Sequence, residues 1–190
     1  MAEKRTACLI SFSGRENGSC AAIAEELRRW YRERATVRSF AFSSVSDTPC
    51  GRCGYQCFQA RELCPYFSDS ELLLCEAVLD SDCACFIVPN YCDYPCANFF
   101  IFNERSQCCF QQRPDLLEKY LAVPKKFIVV SNSSQDNFTA AFRYHVAENT
   151  EPEILFLSAK SFGKSSAAGD LMDSAQARAA LLEFTETALH

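Results

Sequence analysis

Thr6-Ala-Cys-Leu-Ile-Ser11 runs into Phe12-Ser-Gly-Arg-Glu-Asn-Gly-Ser19, and Ile23, Leu27, Trp30 and Tyr31 then recur at helical spacing. A short apolar run without polar alternation reads as a strand buried on both faces, and the recurrence after it reads as a helix of about four turns. Ala35 to Phe42 supplies a second strand. Ser68-Asp-Ser-Glu71 has the form of a capping box ahead of a helix whose apolar face is Leu72, Cys75 and Leu79. Ala84-Cys-Phe-Ile-Val-Pro89 is a third strand, a helix over roughly Ala97–Cys109 follows, and Lys126-Phe-Ile-Val-Val-Ser131 is a fourth strand. Glu153-Ile-Leu-Phe-Leu-Ser158 is the last strand. The final helix has Ala177, Leu181, Phe184 and Ala188 in phase.

Short apolar strands alternating with helices predict an α/β fold, a parallel sheet covered on both faces. Five strands fit the doubly wound order 2-1-3-4-5, with ligand bound beyond the carboxyl ends of the strands at the switch point. One domain over residues 1–190 is expected, interrupted by a cysteine-rich insertion loop at about 43–67. The loops after the first, third and fourth strands should line the crevice, and those three are polar.

Composition agrees with a packed globular chain. Hydrophobic residues make up 48% and charged residues 23%, and 16 Phe and 7 Tyr supply bulky core material. The net charge of −5 argues against nucleic acid as the main partner, which calls for clustered Lys and Arg. No apolar run approaches the ~18 residues of a membrane span. Ala7 to Ile10 is too short for a signal-peptide core, so a soluble cytoplasmic protein is expected, in which the sequons at Asn17, Asn132 and Asn137 are inert.

The 13 cysteines are an odd number without an export signal, which favours reduced thiols over a disulfide framework. Cys8, Cys83 and Cys85 lie in strand-like runs and read as small buried hydrophobes. Cys50-Gly-Arg-Cys53-Gly-Tyr-Gln-Cys57, then Cys64, is denser than chance. Close spacing with intervening glycine lets several thiolates face one centre. An iron–sulfur cluster, a four-cysteine zinc site, a thiol–disulfide pair and a loop of free thiols all fit.

The loop from Ser11 to Cys20 precedes a helix. Free backbone N–H groups, hydroxyls and Arg15 would suit an anion there, although neither G-x-G-x-x-G nor the P-loop pattern is present. Tyr91 and Tyr94 in Pro89-Asn-Tyr-Cys-Asp-Tyr-Pro95 could stack on a planar ring or pack against a neighbour. His145 reads as a surface or helix-packing residue and His190 as frayed. No Ser-His-Asp, histidine metal motif or paired-carboxylate arrangement occurs, so a ligand crevice here would borrow its chemistry from a cofactor.

At these loops the chain resembles the flavodoxin-like NAD(P)H-dependent FMN reductases, most closely their iron–sulfur flavoprotein branch. Phe12-Ser-Gly-Arg-Glu-Asn-Gly-Ser-Cys20 is similar to the family's Gly-Ser-Pro-Arg-x-x-Gly-x-Thr phosphate loop. Val88-Pro-Asn-Tyr91, continued to Phe102-Asn-Glu-Arg105, resembles its Pro-x-Tyr loop and following helix. Cys50 to Pro65 is similar to the branch's cluster motif. Ser158-Ala-Lys-Ser-Phe-Gly163 and Gly169-Asp-Leu171 resemble its last strand and loop. The resemblance implies FMN at the sheet edge. Its phosphate would lie in the loop of Ser11, Ser13, Arg15, Asn17, Gly18, Ser19 and Cys20. Its ring would lie along Pro89, Asn90, Tyr91, Cys92 and Asp93, with Ser131, Asn132 and Ser133 on the other side. It also implies Cys50, Cys53, Cys57 and Cys64 as ligands of an iron–sulfur cluster. The partners implied are NAD(P)H and an electron acceptor, in a homodimer or homotetramer.

The chain departs from the pattern at several positions. Phe12 stands for Gly, Gly14 for Pro, Cys20 for Thr or Ser, Asp93 for Gly and Phe100 for Lys, while Pro95 and Cys96 replace small polar residues. The second and third cysteines are one residue further apart than in the branch. An FMN-dependent oxidoreductase is therefore the leading expectation. A flavodoxin-like binding or thiol-sensing module that has lost catalysis is the alternative.

Overall fold

Every residue of Arg5–Ser11 (β1) from Ala7 onward is buried, with Ala7 and Leu9 packed on one side of the sheet and Cys8 and Ile10 on the other. That two-sided burial is why the run is apolar throughout and does not alternate. The structure is a computed structural model and describes residues 4–45, 47–51, 53–132 and 137–189. The sequence readings at Ser133, Ser134 and His190 lie outside the described residues.

The sheet comprises β1, Ala35–Ala41 (β2), Cys83–Tyr91 (β3), Tyr94–Pro95 (β4), Lys125–Val130 (β5) and Glu153–Leu157 (β6). The order is β2-β1-β3-β5-β6, with all these neighbours parallel. The two-residue β4 folds back antiparallel on the end of β3. Apart from that extra hairpin strand, the order is the expected 2-1-3-4-5.

Ser19–Tyr31 (α1) and Ala175–Glu186 (α6) cover one face, burying Ile23, Leu27, Tyr31, Ala177 and Leu181. The other face carries Ser70–Leu79 (α2), Ala97–Phe110 (α3), Pro114–Ala122 (α4) and the short Phe138–Phe142 (α5). Phe12 lies at the centre of this second layer, with ring centroids 5.2–5.5 Å from Phe42, Phe86, Phe99 and Phe102. Burial of each such ring stabilises by about 1.5–3 kcal/mol. Cys8, Cys83 and Cys85 are fully buried in the sheet, as small hydrophobes should be.

Two local expectations change and a third is narrowed. The span between Cys109 and the next strand holds a second helix, α4, started by Pro114 at its first turn. Asp69, not Ser68, caps α2 by accepting from the Glu71 N–H at 3.2 Å. Glu71 itself is buried, so its side chain does not return to the helix start as a capping box requires. Of the two readings of His145, surface or helix-packing, the second holds: it is 2% exposed, its ring packs on Phe99 and Phe102 of α3, and its Nδ1 lies 2.9 Å from the Tyr120 hydroxyl of α4.

Candidate functional site

The carboxyl ends of β1, β3 and β5 open on a cleft of about 230 Å³. Its walls are Ser13, Arg15, Gly18, Ser19, Cys20, Pro89, Asn90, Tyr91, Val130, Asn132 and Ser166. The loop after β1 is shaped by where Phe12 goes. Its N–H extends the sheet by bonding to the Ile87 carbonyl at 2.9 Å, and its ring enters the core. Phe at position 12 therefore fills the core and leaves the loop beyond it open. Asn98 and Cys96, at the start of α3, both donate to the Phe12 carbonyl, at 2.9 and 3.3 Å. The Ser13 hydroxyl then accepts from the Arg15 N–H at 3.1 Å.

Gly18 is the N-cap of α1 and has no side chain to satisfy the first-turn N–H groups of Ser19 and Cys20. The Ser19 hydroxyl is also buried without a hydrogen-bond partner. Arg15 donates to the Ala167 carbonyl at 2.9 Å, tying this loop to the segment after β6. Among the described residues lining the cleft it alone carries a full charge, so the arrangement is that of an anion site. Burial pushes the Cys20 thiol up to about 12, and it faces the cleft as a neutral group.

On the opposite wall the Asn90 side-chain Nδ2 donates to the Ser131 hydroxyl at 2.6 Å, joining the ends of β3 and β5, and the Asn90 side-chain Oδ1 accepts from the Asp93 N–H at 2.9 Å. Cys92 and Asp93 both have positive φ, 54° and 68°, and form the two-residue turn between β3 and β4. This left-handed geometry explains why Gly suits position 93 and why Asp is tolerated there. Asn137 holds the Asp93 carboxylate at 3.0 Å. Asn132 is knitted to the loop after β6, donating to Ser166 and accepting from Ser158, each at 2.7 Å.

Of the sequence-predicted set, Ser13, Arg15, Gly18, Ser19, Cys20, Pro89, Asn90, Tyr91 and Asn132 line one cleft. Ser11, Asn17, Cys92, Asp93 and Ser131 stand beside it and do not line it, and Ser133 lies outside the described residues. Sequence reasoning missed Val130 and Ser166. The signal for Ser166 was the small-residue run Ser165 to Gly169 after the last strand.

No protein-family model matches the sequence, and no characterised protein matches it at the level of sequence. Solved structures do match. A putative quinone reductase from Klebsiella pneumoniae aligns with a TM-score of 0.62 at 14% identity, covering 96% of this chain and 84% of that one. The Trp repressor binding protein from Bacillus subtilis aligns at 0.58 and 13% identity, covering 94% and 96%. The flavoenzyme NAD(P)H:(acceptor) oxidoreductase FerB from Paracoccus denitrificans aligns at 0.57 and 11% identity, covering 97% of each chain. The fold is flavodoxin-like.

Within that fold, the cysteine-rich loop packs away from the cleft against the far end of α3. Cys57, Cys64 and Cys108 form a small buried cluster with Cys50 and Tyr66 packed on it. The Cys64 and Cys108 sulfurs are 3.7 Å apart. Cys53 is not part of this cluster. Burial raises the thiols of Cys50, to about 12, and of Cys64 and Cys108, so they are neutral at pH 7. Arg105 anchors the loop. Its guanidinium forms two bonds to Asp69, one of them 3.1 Å, and donates to the carbonyls of Thr48 and Tyr66 at 2.8 and 3.2 Å.

Proposed function

We propose that the chain is an FMN-dependent oxidoreductase that takes reducing equivalents from NAD(P)H and passes them to a small-molecule or protein acceptor. The observation that carries this reading is the anion site at the switch point. Free N–H groups of Ser19 and Cys20, the unpartnered Ser19 hydroxyl and Arg15 converge on one cleft. These groups fit the phosphate of a flavin mononucleotide, because each offers a donor and none opposes with a negative charge.

About 230 Å³ is below the ~300–1,000 Å³ of typical small-molecule pockets. The enclosed part suits the phosphate end, which leaves the ring on the open rim formed by Pro89, Asn90 and Tyr91. When bound, the flavin would supply hydride acceptance and electron transfer, chemistry for which the described residues of the cleft offer no acid–base pair. The protein's part is to hold the phosphate, to position the ring against the β3 loop and to present backbone dipoles to it. Exposed Tyr91 at this rim, with its strand partner Tyr94 and Phe100 of α3 also exposed, supports assembly with a second copy of the chain. No helix among the described residues is long and apolar enough to cross a membrane.

The arrangement supports the flavin and not the cluster. The thiols that pack together are those of Cys57, Cys64 and Cys108, with Cys50 against them, a set that differs from the four expected ligands, and among the described residues they do not close to within 4.8 Å of one another as a metal-ligand group. The reading is tested by mixing FMN-loaded protein with NAD(P)H under anaerobic conditions and then adding a quinone. The flavin absorption should bleach and recover. A flavin that stays oxidised over many equivalents of both NADH and NADPH would overturn it. The Cys64–Cys108 contact favours a second reading, a thiol-redox module without catalysis, which predicts no FMN uptake.

A further inference from the structure

The capping residue of α2 is Asp69, and this leaves the Glu71 side chain to turn inward, where it is 1% exposed. One carboxylate oxygen accepts from the Cys75 thiol at 3.2 Å, and the other is buried with no hydrogen-bond partner. An orphaned buried acceptor costs about 1–3 kcal/mol, so its retention calls for a reason. Cys75 lies one turn along the same helix face, and Cys109 comes from α3 opposite. Among the described residues these three alone form a group whose ligand atoms all lie within 4.8 Å of one another.

The chemistry of the set is specific. Two sulfurs and one carboxylate oxygen suit a borderline-soft divalent ion. With Zn–S near 2.3 Å and Zn–O near 2.0–2.2 Å, tetrahedral ligand atoms stand about 3.5–3.8 Å apart, so closure needs shifts of about 1 Å or less. A cavity of about 10 Å³ touches Glu71 and Cys109, roughly the room of the one water that a fourth ligand position would take. A larger cleft lined by Cys75, Cys109, Arg61 and Arg113 gives access from the other side. Two thiolates and a carboxylate around a dication leave one net negative charge, beside Arg105 and Arg61.

We propose that Glu71, Cys75 and Cys109 form a zinc-class divalent metal site that ties α2 to α3 beneath the cysteine-rich loop. Binding releases the thiol protons, and any proton on Glu71, to solvent, with no change of oxidation state. The site uses none of the cysteines in the Cys50–Cys64 loop and stands independently of the flavin reading.

The test is a titration of reduced, chelator-treated protein with Co²⁺ alone, followed by Zn²⁺ as competitor. One Co²⁺ should bind per chain in tetrahedral geometry. Its sulfur-to-metal charge-transfer band should match two thiolates, calibrated on a two-thiolate peptide, and should disappear on adding Zn²⁺. Cys75→Ala combined with Cys109→Ala should remove the band, and Glu71→Gln should weaken binding at least ~10-fold, since even outer-shell partners are worth that much. Cys57→Ala with Cys64→Ala should leave it unchanged. Absence of binding to the wild-type chain would overturn the proposal. So would a band of three or four thiolates, or loss of the band in the Cys57/Cys64 variant. The wild-type spectrum decides the thiolate count even where a variant fails to fold.

Discussion

A methyl group placed on Gly169 would lie 3.1 Å from both the Cα and the carbonyl carbon of Gly18. The two backbones touch where the loop after β6 closes over the start of α1, and φ at Gly169 is +72°. Gly169→Ala therefore meets two penalties, left-handed strain of about 1–2 kcal/mol and a backbone collision that shifts Gly18. Gly163 is the control, with φ +65° and nothing within 4 Å of an added methyl. Both alanine variants should lose stability in urea unfolding. Gly169→Ala should lose more, and FMN affinity should fall in that variant alone.

Arg15 is exposed and shares its guanidinium between the Ala167 carbonyl and the cleft. Hydrogen bonds to charged groups contribute about 1.5–3 kcal/mol, and screening places an exposed one at the lower end. Arg15→Ala should weaken FMN binding roughly tenfold, as read from quenching of flavin fluorescence. The difference from wild type should shrink as salt is added. An unchanged affinity would place the phosphate elsewhere.

The ion pair of Arg105 with Asp69 is buried on the arginine side, 2% exposed. Removing one partner of a buried pair costs ~3–5 kcal/mol because the other charge is left unpaired. Arg105→Met should destabilise the chain by about 3 kcal/mol in denaturant unfolding. It should also free the loop it anchors at Thr48 and Tyr66, so Cys57 and Cys64 should be alkylated faster by iodoacetamide, followed by mass spectrometry.

His145 has its basicity lowered to about 3, first by burial and then by Lys125 nearby. A base protonated more readily when unfolded stabilises the fold fully above its unfolded pKa of 6.5, and that contribution is lost as pH falls toward 3. The neutral imidazole therefore makes the fold acid-sensitive, with stability falling as pH drops below the unfolded value. Asp47, raised to about 6 chiefly by burial, acts with the opposite sign between 3.8 and 6. The direct measurement is therefore NMR of the imidazole, which should show no protonation of His145 down to pH 5. Relative to His145→Gln, the wild type should lose stability more steeply on acidification.

Much of the framework was legible because it rests on local patterns. Ala7 to Ile10 and Ala84 to Pro89 are apolar throughout because helices cover both sides of those strands. Helix α4 escaped notice because Tyr120 is the one residue it buries fully, too little for an apolar stripe. His145 follows a helix of five residues, too short to show a period. The β1 and β3 walls of the cleft could be read, since polar loops follow apolar strands there. The small-residue run Ser165 to Gly169 marked a loop after the last strand, but not that Ser166 reaches the cleft, because it does so beside Asn132, 34 residues away. The joining of Cys64 to Cys108 across 44 residues is likewise tertiary, and so is the turning of Glu71 toward Cys109.

The central claim is that the cleft between β1, β3 and β5 holds FMN, and the most direct measurement is a titration of purified apoprotein with FMN. The absorption spectrum and flavin fluorescence should be followed on protein shown to be folded. The account predicts saturable uptake of one FMN per chain, with a perturbed flavin spectrum and competition by inorganic phosphate. Folded protein that leaves the spectrum and fluorescence of FMN unchanged would contradict it.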